Sequence, residues 1–382
     1  MILKKIYKTI IYSILIFFLL PGCLPRPKPQ TGDFSGKVVD SYTYEPVPGV
    51  AMKIGEMEIT TDEDGKFSIA SLIPGDYQLT LERDWYNQSI QAVHHIEKQN
   101  SLVFSIIPLP IEGKILYSGN GTHNWEIYEL DLSRRLVSQL THMDSSEINP
   151  EKYSENQILL QSTFLSRNTD NYDLFSFDRT SQECQLIYSS PEKYNDQHPT
   201  SLMLGNTIIF QSNGEKIYSC DFSGKNAKQI IEKGQNPVMS PKGTQIAYAD
   251  TSNHLCVANI DGTGIRTINH PGKINNPCWS PDGKMIAVEL WQETGGPRYI
   301  YIMNADGTGQ PQRVTYGSLK GDQHKHPCWS SDGTMIFFSA NIIYSSRFDI
   351  YAIRVSDGQQ GKMSWVMVSR GSGDKEYPSW AF

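Results

Sequence analysis

The sequence predicts an all-β protein: a small β-sandwich followed by a six-bladed β-propeller closed by a C-terminal strand. Two observations carry that prediction. Between Pro150 and Pro378 one phrase occurs six times, its prolines 49, 38, 40, 50 and 51 residues apart. Self-similarity at a period of roughly 45 residues means one supersecondary unit stacked many times. Upstream, between Asp33 and Pro110, short alternating apolar runs are separated by Gly, Pro and Asp turns, the pattern of a sandwich.

Residues 1–22 read as a signal peptide. Lys4, Lys5 and Lys8 precede an apolar run from Ile10 to Leu20 that ends at Leu20-Pro21-Gly22-Cys23. A charged start, a short apolar stretch and a small residue at the cut site make a secretory signal. The run is shorter than the ~20 apolar residues a membrane-crossing helix needs. The Leu-x-Gly-Cys string resembles the lipobox of bacterial lipoproteins, which implies lipidation of Cys23 and anchoring by several acyl chains. Residues 23–32 then form a spacer, in which Pro25, Pro27 and Pro29 favour an extended, semi-rigid chain.

The sandwich is expected over residues 33–110. Strands are read at 34–39, 50–54, 57–61, 67–69, 77–81 and 101–107, with Asp62-Glu63-Asp64-Gly65 as a hairpin turn. Asp62 and Asp64 lack the further oxygen ligands of a calcium loop and are assigned to turn chemistry. The strings Gly36-Lys37-Val38-Val39-Asp40, Pro46-Val47-Pro48-Gly49-Val50, Thr61-Asp62-x-Asp64-Gly65-x-Phe67 and Leu72-x-Pro74-Gly75-x-Tyr77 resemble the carboxypeptidase regulatory-like domain. That resemblance implies a prealbumin-like accessory sandwich without catalytic residues of its own.

Residues 111–382 are assigned to the propeller, each unit parsed into strands a to d. The clearest copies of the phrase are Asn276-Pro277-Cys278-Trp279-Ser280-Pro281-Asp282-Gly283 and His326-Pro327-Cys328-Trp329-Ser330-Ser331-Asp332-Gly333. Asp-Gly pairs between apolar runs signal tight hairpins. The first unit lacks strand a, and 377–382 at the other end supplies it, closing the ring and removing its exposed edges. The phrase, with Ile-Tyr-x-Met-Asn-Ala-Asp-Gly after it, resembles the TolB-type propeller repeat. Lys152, Ser201 and Met239 stand where tryptophan is expected in three copies.

The residue before each repeat proline is expected to ring the channel mouth: Asn149, His198, Asn236, Asn276, His326 and Tyr377. The seven propeller histidines (His123, His142, His198, His254, His270, His324 and His326) all fall in or beside the b–c and d–a loops, which marks that face as the candidate binding face. His324 and His326 make a partial metal site, too few ligands for a functional one, so no metal and no cofactor is assigned. Trp279, Trp329 and Trp380 are assigned to packing between blades. Glu147 and Asp196 lie in neighbouring loops as a candidate acid–base pair.

The chain has 34 Lys and Arg against 41 Asp and Glu; without the first 22 residues the formal charge is −10. A surface of that sign repels nucleic acid. After Cys23, five cysteines remain, an odd number. Buried free thiols are expected, with a Cys278–Cys328 disulfide as the alternative. No nucleophile elbow, His-Glu-x-x-His or phosphate loop is present. The expected function is therefore a non-enzymatic envelope lipoprotein, anchored at the periplasmic face of the outer membrane. Its propeller would bind a protein, peptide or glycan, as TolB-like scaffolds do. The alternative is a hydrolase or lyase acting on polysaccharide or peptide at the loop face.

Overall fold

The computed structural model describes residues 31–97, 99–165, 171–192, 194–202, 205–317, 321–343, 346–362 and 364–380. The signal segment, Cys23 and the proline spacer lie outside them. Among the described residues, contacts divide the chain into two units, one of 31–39, 46–83 and 88–106, the other of 40–45, 84–87 and those from 107 to 380.

The first unit is a two-sheet sandwich. Its strands are β1 (Gly32–Asp40), β2 (Ala51–Ile54), β3 (Met57–Thr60), β4 (Lys66–Leu72), β5 (Gly75–Glu82), β6 (Ser89–His95) and β7 (Gln99–Ile106), ordered β3-β2-β5-β6 and β4-β1-β7. Inward positions alternate along the strands, and Phe34, Met52, Ile54, Leu79 and Leu81 are fully buried between the sheets. Gly36 has no room for a side chain, since a Cβ would lie 2.1 Å from the Leu102 carbonyl. Asp62 accepts from the N–H groups of Asp64 (3.0 Å) and Lys66 (2.7 Å), so its carboxylate closes a turn. Strand β6 was not expected. Its outward face carries Ile90 at 61% exposure, and its inward face includes polar Ser89 and Gln91, so the alternation expected of a half-buried strand is blurred at this sheet edge.

The second unit is the propeller. Six four-stranded antiparallel sheets follow in chain order, and the strand Lys375–Trp380 joins Lys114–Gly119 to complete blade 1. The inner strands a of blades 2 to 6 are Glu147–Lys152, Gln197–Ser201, Gln235–Met239, Lys273–Trp279 and His324–Trp329. The Ser-x-Asp-Gly part of the phrase is a self-contained turn. In blade 5, Ser280 Oγ donates to Asp282 (2.7 Å) and accepts from Met285 N (2.9 Å), while Gly283 takes φ 70°. Blade 6 repeats this with Ser330, Asp332 and Gly333. One c–d connection departs from the expected tight hairpins: in blade 6 it is a one-turn helix, Val355–Gln359.

In blades 5, 6 and 1 the tryptophan of strand a packs that blade on the one before it. Trp279 Nε1 donates to the Val238 carbonyl and Trp329 Nε1 to the Cys278 carbonyl, both at 3.2 Å. Both rings are at least 94% buried within apolar clusters that span two blades. Trp380 packs on Phe337 of blade 6, at 5.4 Å between ring centroids.

Candidate functional site

Proline cannot donate to a strand ladder, so a strand that contains one bulges there. Every inner strand of the propeller does so. Register shifts fall between Ile148 and Glu151, Gln197 and Thr200, Gln235 and Val238, Asn275 and Cys278, Lys325 and Cys328, and Glu376 and Ser379. At each bulge the residue before proline enters the left-handed region. The φ values are 54° for Asn149, 50° for His198, 49° for Asn236, 45° for Asn276, 50° for His326 and 55° for Tyr377. Asn tolerates this conformation best and His is enriched in it, while for a bulky Tyr it is an outlier. Six such residues in one ring hold strain on the order of 1–3 kcal/mol each, of the kind that clusters at functional sites.

The bulges bring all six predicted residues around one cavity of about 160 Å3, together with their prolines and with Glu151, Val238, Cys278, Cys328 and Ser379 from the following positions. The rim is tied by side-chain amides. Asn149 Nδ2 donates to His198 Nδ1 (3.0 Å) and to Gln161 Oε1 (2.8 Å), and Asn236 Nδ2 bonds to Asn275 Oδ1. His326 stacks on Tyr377 at 4.0 Å and places Nδ1 3.4 Å from Glu376 Oε2.

A second row, from strand b, supports this rim and was not anticipated. Gln161, Gln211 and Glu289 each receive the backbone N–H of the pre-proline residue in the next blade, His198, Asn236 and His326 respectively, all at 2.8 Å. Glu289 also accepts from Asn276 Nδ2 (2.5 Å) and pairs with Arg298 (3.1 Å). The equivalent residues in the other blades are Ser118, Ala249 and Ser339, and the hydroxyls of both serines are buried without a hydrogen-bond partner. The usable signal was a polar residue near the end of an apolar strand, as in Gln157–Ser162 and Thr207–Ser212.

Burial sets the protonation states. It lowers His198 to about 3, helped by His326, and holds His326 well below its usual value, helped by Lys325 and Arg298. Both imidazoles are neutral near pH 7. Burial raises Glu376 to about 7 against the pull of Lys325, and Glu151 to about 7 despite hydrogen bonds from Ser201 N and Thr200 Oγ. The ring therefore offers neutral donors and acceptors, with carboxyls poised near neutrality.

The other histidines do not converge on it. His324, the second half of the expected partial metal site, is fully buried between Tyr299 (5.2 Å) and Phe338 (5.3 Å), where burial lowers it to about 3. His270 Nε2 accepts from Leu255 N, and His254 pairs with Asp250. No group of three or more metal-ligating side chains occurs among the described residues. Glu147 and Asp196 do not pair with each other. Glu147 faces Glu126, and Asp196 faces Asp173, each pair linking strand a to strand c of the preceding blade. Burial raises Glu147 to about 7, with Glu126 adding to the rise, and raises Asp196 to about 6.

Comparison with known proteins agrees with this architecture. Residues 211–380 match the TolB beta propeller domain, and residues 33–106 match the carboxypeptidase regulatory-like domain. A protein TolB homolog of Chlorobaculum tepidum is 33% identical over 125 residues, covering 30% of this chain and 28% of its own length. A Tol-Pal system protein TolB of Francisella tularensis subsp. mediasiatica is 31% identical over 103 residues, covering 25% of this chain and 23% of its own. The chain thus spans about a quarter of the length of these curated relatives. Among solved structures, TolB from Acinetobacter baumannii superposes with a TM-score of 0.58 at 16% identity, over 81% of this chain and 80% of that one. A putative TolB from Agrobacterium tumefaciens gives 0.52 at 14% identity, over 70% and 98%. At such identities the likeness is one of fold. The propeller is thus similar to the TolB type and the sandwich to the carboxypeptidase regulatory-like domain.

Proposed function

We propose that this protein is a non-enzymatic interaction scaffold of the cell envelope, lipid-anchored through Cys23, whose propeller receives a protein, peptide or glycan partner at the channel mouth. The observation that carries the reading is the ring of six left-handed pre-proline residues around one cavity. Strain held at all six blades, and a rim of amides and uncharged imidazoles, suit hydrogen bonding to a polar chain. The relatives that carry the name Tol-Pal system protein support an envelope assembly as its setting, and the lipobox-like string supports a lipid anchor, which this reading assigns to the periplasmic face of the outer membrane.

The test is capture of partners from solubilised envelope by the full chain, beside a His198→Ala/His326→Ala variant. Loss of specific partners with the variant is the expected result, and recovery of the same partners by both proteins overturns the assignment. Turnover of envelope polysaccharide or peptide, abolished by the same variant, would instead establish the hydrolase or lyase reading, for which the His326–Glu376 contact is the available acid–base pair.

A further inference from the structure

Cys278 and Cys328 occupy the same place in neighbouring blades, one residue after the repeat proline. In the other blades that place is held by Glu151, Thr200, Val238 and Ser379. Both cysteines line the channel cavity, and their thiols are in hydrogen-bonding contact across the junction of blades 5 and 6. Each sulfur also turns toward the carbonyl of the tryptophan that follows it, at 3.8 Å from Trp279 O and 3.5 Å from Trp329 O. Trp329 Nε1, bonded to the Cys278 carbonyl, fixes the two strands beside them. Both thiols are free. Cys184, Cys220 and Cys256, by contrast, lie on strands c and d, away from the inner ring.

We propose that Cys278 and Cys328 form a dithiol that a small peroxide entering the channel oxidises to a disulfide, stapling blade 5 to blade 6. The Cys278 thiolate attacks one peroxide oxygen and the O–O bond breaks, leaving a sulfenic acid and a hydroxide that takes up a proton. The Cys328 sulfur then attacks the Cys278 sulfur and expels the hydroxyl, which leaves as water with the Cys328 proton. Two thiols and one hydrogen peroxide become one disulfide and two waters, with two electrons passing from sulfur to oxygen. The cavity, about 160 Å3, has room for a molecule of peroxide size. The roles are divided by exposure. Cys278 is only partly buried while Cys328 is buried, so Cys278 meets the peroxide first and Cys328 resolves.

The disulfide would close a loop of 50 residues, from 278 to 328. The test treats the reduced full chain with hydrogen peroxide and then alkylates it under denaturing conditions. The proposal expects two fewer alkyl groups than on the reduced control, a cross-linked peptide containing Cys278 and Cys328, and a Tm raised on the order of 5 °C until reductant is added. In Cys328→Ser the sulfenic acid persists and dimedone labels Cys278, whereas in Cys278→Ser it leaves Cys328 unlabelled. Full alkylation of both thiols after peroxide treatment overturns the proposal, as does a cross-link through Cys184, Cys220 or Cys256. Peptide mapping of the unmodified chain decides the matter even where a serine variant fails to fold.

Discussion

Blades 5 and 6 and blades 2 and 3 build the same inner ring with different chemistry. In blades 5 and 6 the strand ends in tryptophan, which fills the gap to the preceding blade and bonds to its backbone. In blades 2 and 3 Lys152 and Ser201 stand at that position, and the tie is polar. Glu151 of blade 2 reaches across to Ser201 N and Thr200 Oγ, both at 3.1 Å, and Thr200 Oγ in turn accepts from Met239 N of blade 4 at 3.2 Å. The loop-side ends of strand a differ in the same way. Asp349 meets Lys375 at 2.9 Å between blades 6 and 1, whereas Glu126 meets Glu147 and Asp173 meets Asp196 at the next two junctions. A propeller tolerates this exchange because each blade needs only a filled junction and satisfied backbone groups. The regular half meets that need by apolar burial and the divergent half by hydrogen-bonded carboxyls, so the two halves should fail under different conditions.

The largest contrast is in sensitivity to truncation. Trp329→Ala removes a 95% buried ring and the bond to Cys278 O and should cost about 3–5 kcal/mol. Lys152→Ala, at the same position of blade 2, removes an apolar stem and a pair with a solvent-exposed glutamate and should cost about 1 kcal/mol. Urea denaturation of the two variants beside the parent measures both. Equal losses would mean that the tryptophans are not what holds the regular half.

The next contrast is in pH. The folded protein keeps a proton on Glu147 up to about pH 7, whereas the unfolded chain releases it near 4.5. The resulting stability is complete below 4.5 and is lost as pH rises through 7. His198, His324 and His326 run the other way, since their folded values are depressed; their contribution is present above 6.5 and is lost as pH falls below it. Glu147→Gln isolates the first effect, because the amide keeps the shape and cannot ionise. The variant should be more stable than the parent at pH 8, by on the order of 2 kcal/mol, and should lose that advantage by pH 5. Thermal melts at the two pH values measure it, and a pH-independent difference would remove the carboxyl pair from the account.

The same contrast explains what the sequence could reveal. The tryptophan half was legible because its devices are local: Pro for the bulge, Trp for the clamp, Asp-Gly for the turn, each at a fixed offset within one blade. The six channel residues were legible for the same reason, since each is defined by the proline beside it. What escaped was chemistry made by two blades together. Gln161 serves His198, Glu289 serves His326, and Glu126 rather than Asp196 faces Glu147; only the ring closure decides these pairings. His324 shows the converse error. Its spacing from His326 places both on one face of a strand, yet the bulge that begins after Lys325 turns His326 to the channel and leaves His324 among aromatic rings.

The smallest effect tests whether turn chemistry can be carried from the regular half outward. Blade 4 closes its a–b hairpin with Ser240-Pro241-Lys242-Gly243, with Ser240 Oγ accepting from Gln245 N (3.1 Å) and Gly243 N donating to Ser240 O (2.8 Å). It lacks the carboxylate that in blade 5 receives Ser280 Oγ and, at 3.0 Å, Lys284 N. Lys242→Asp supplies that acceptor on a backbone already in the right conformation, since Gly243 and Gly283 take φ of 67° and 70°. The gain should be about 0.5–1 kcal/mol, the usual net value of a hydrogen bond in a turn. A melting temperature unchanged or lowered by the substitution would show that the Asp in blades 5 and 6 answers to its own surroundings rather than to the turn.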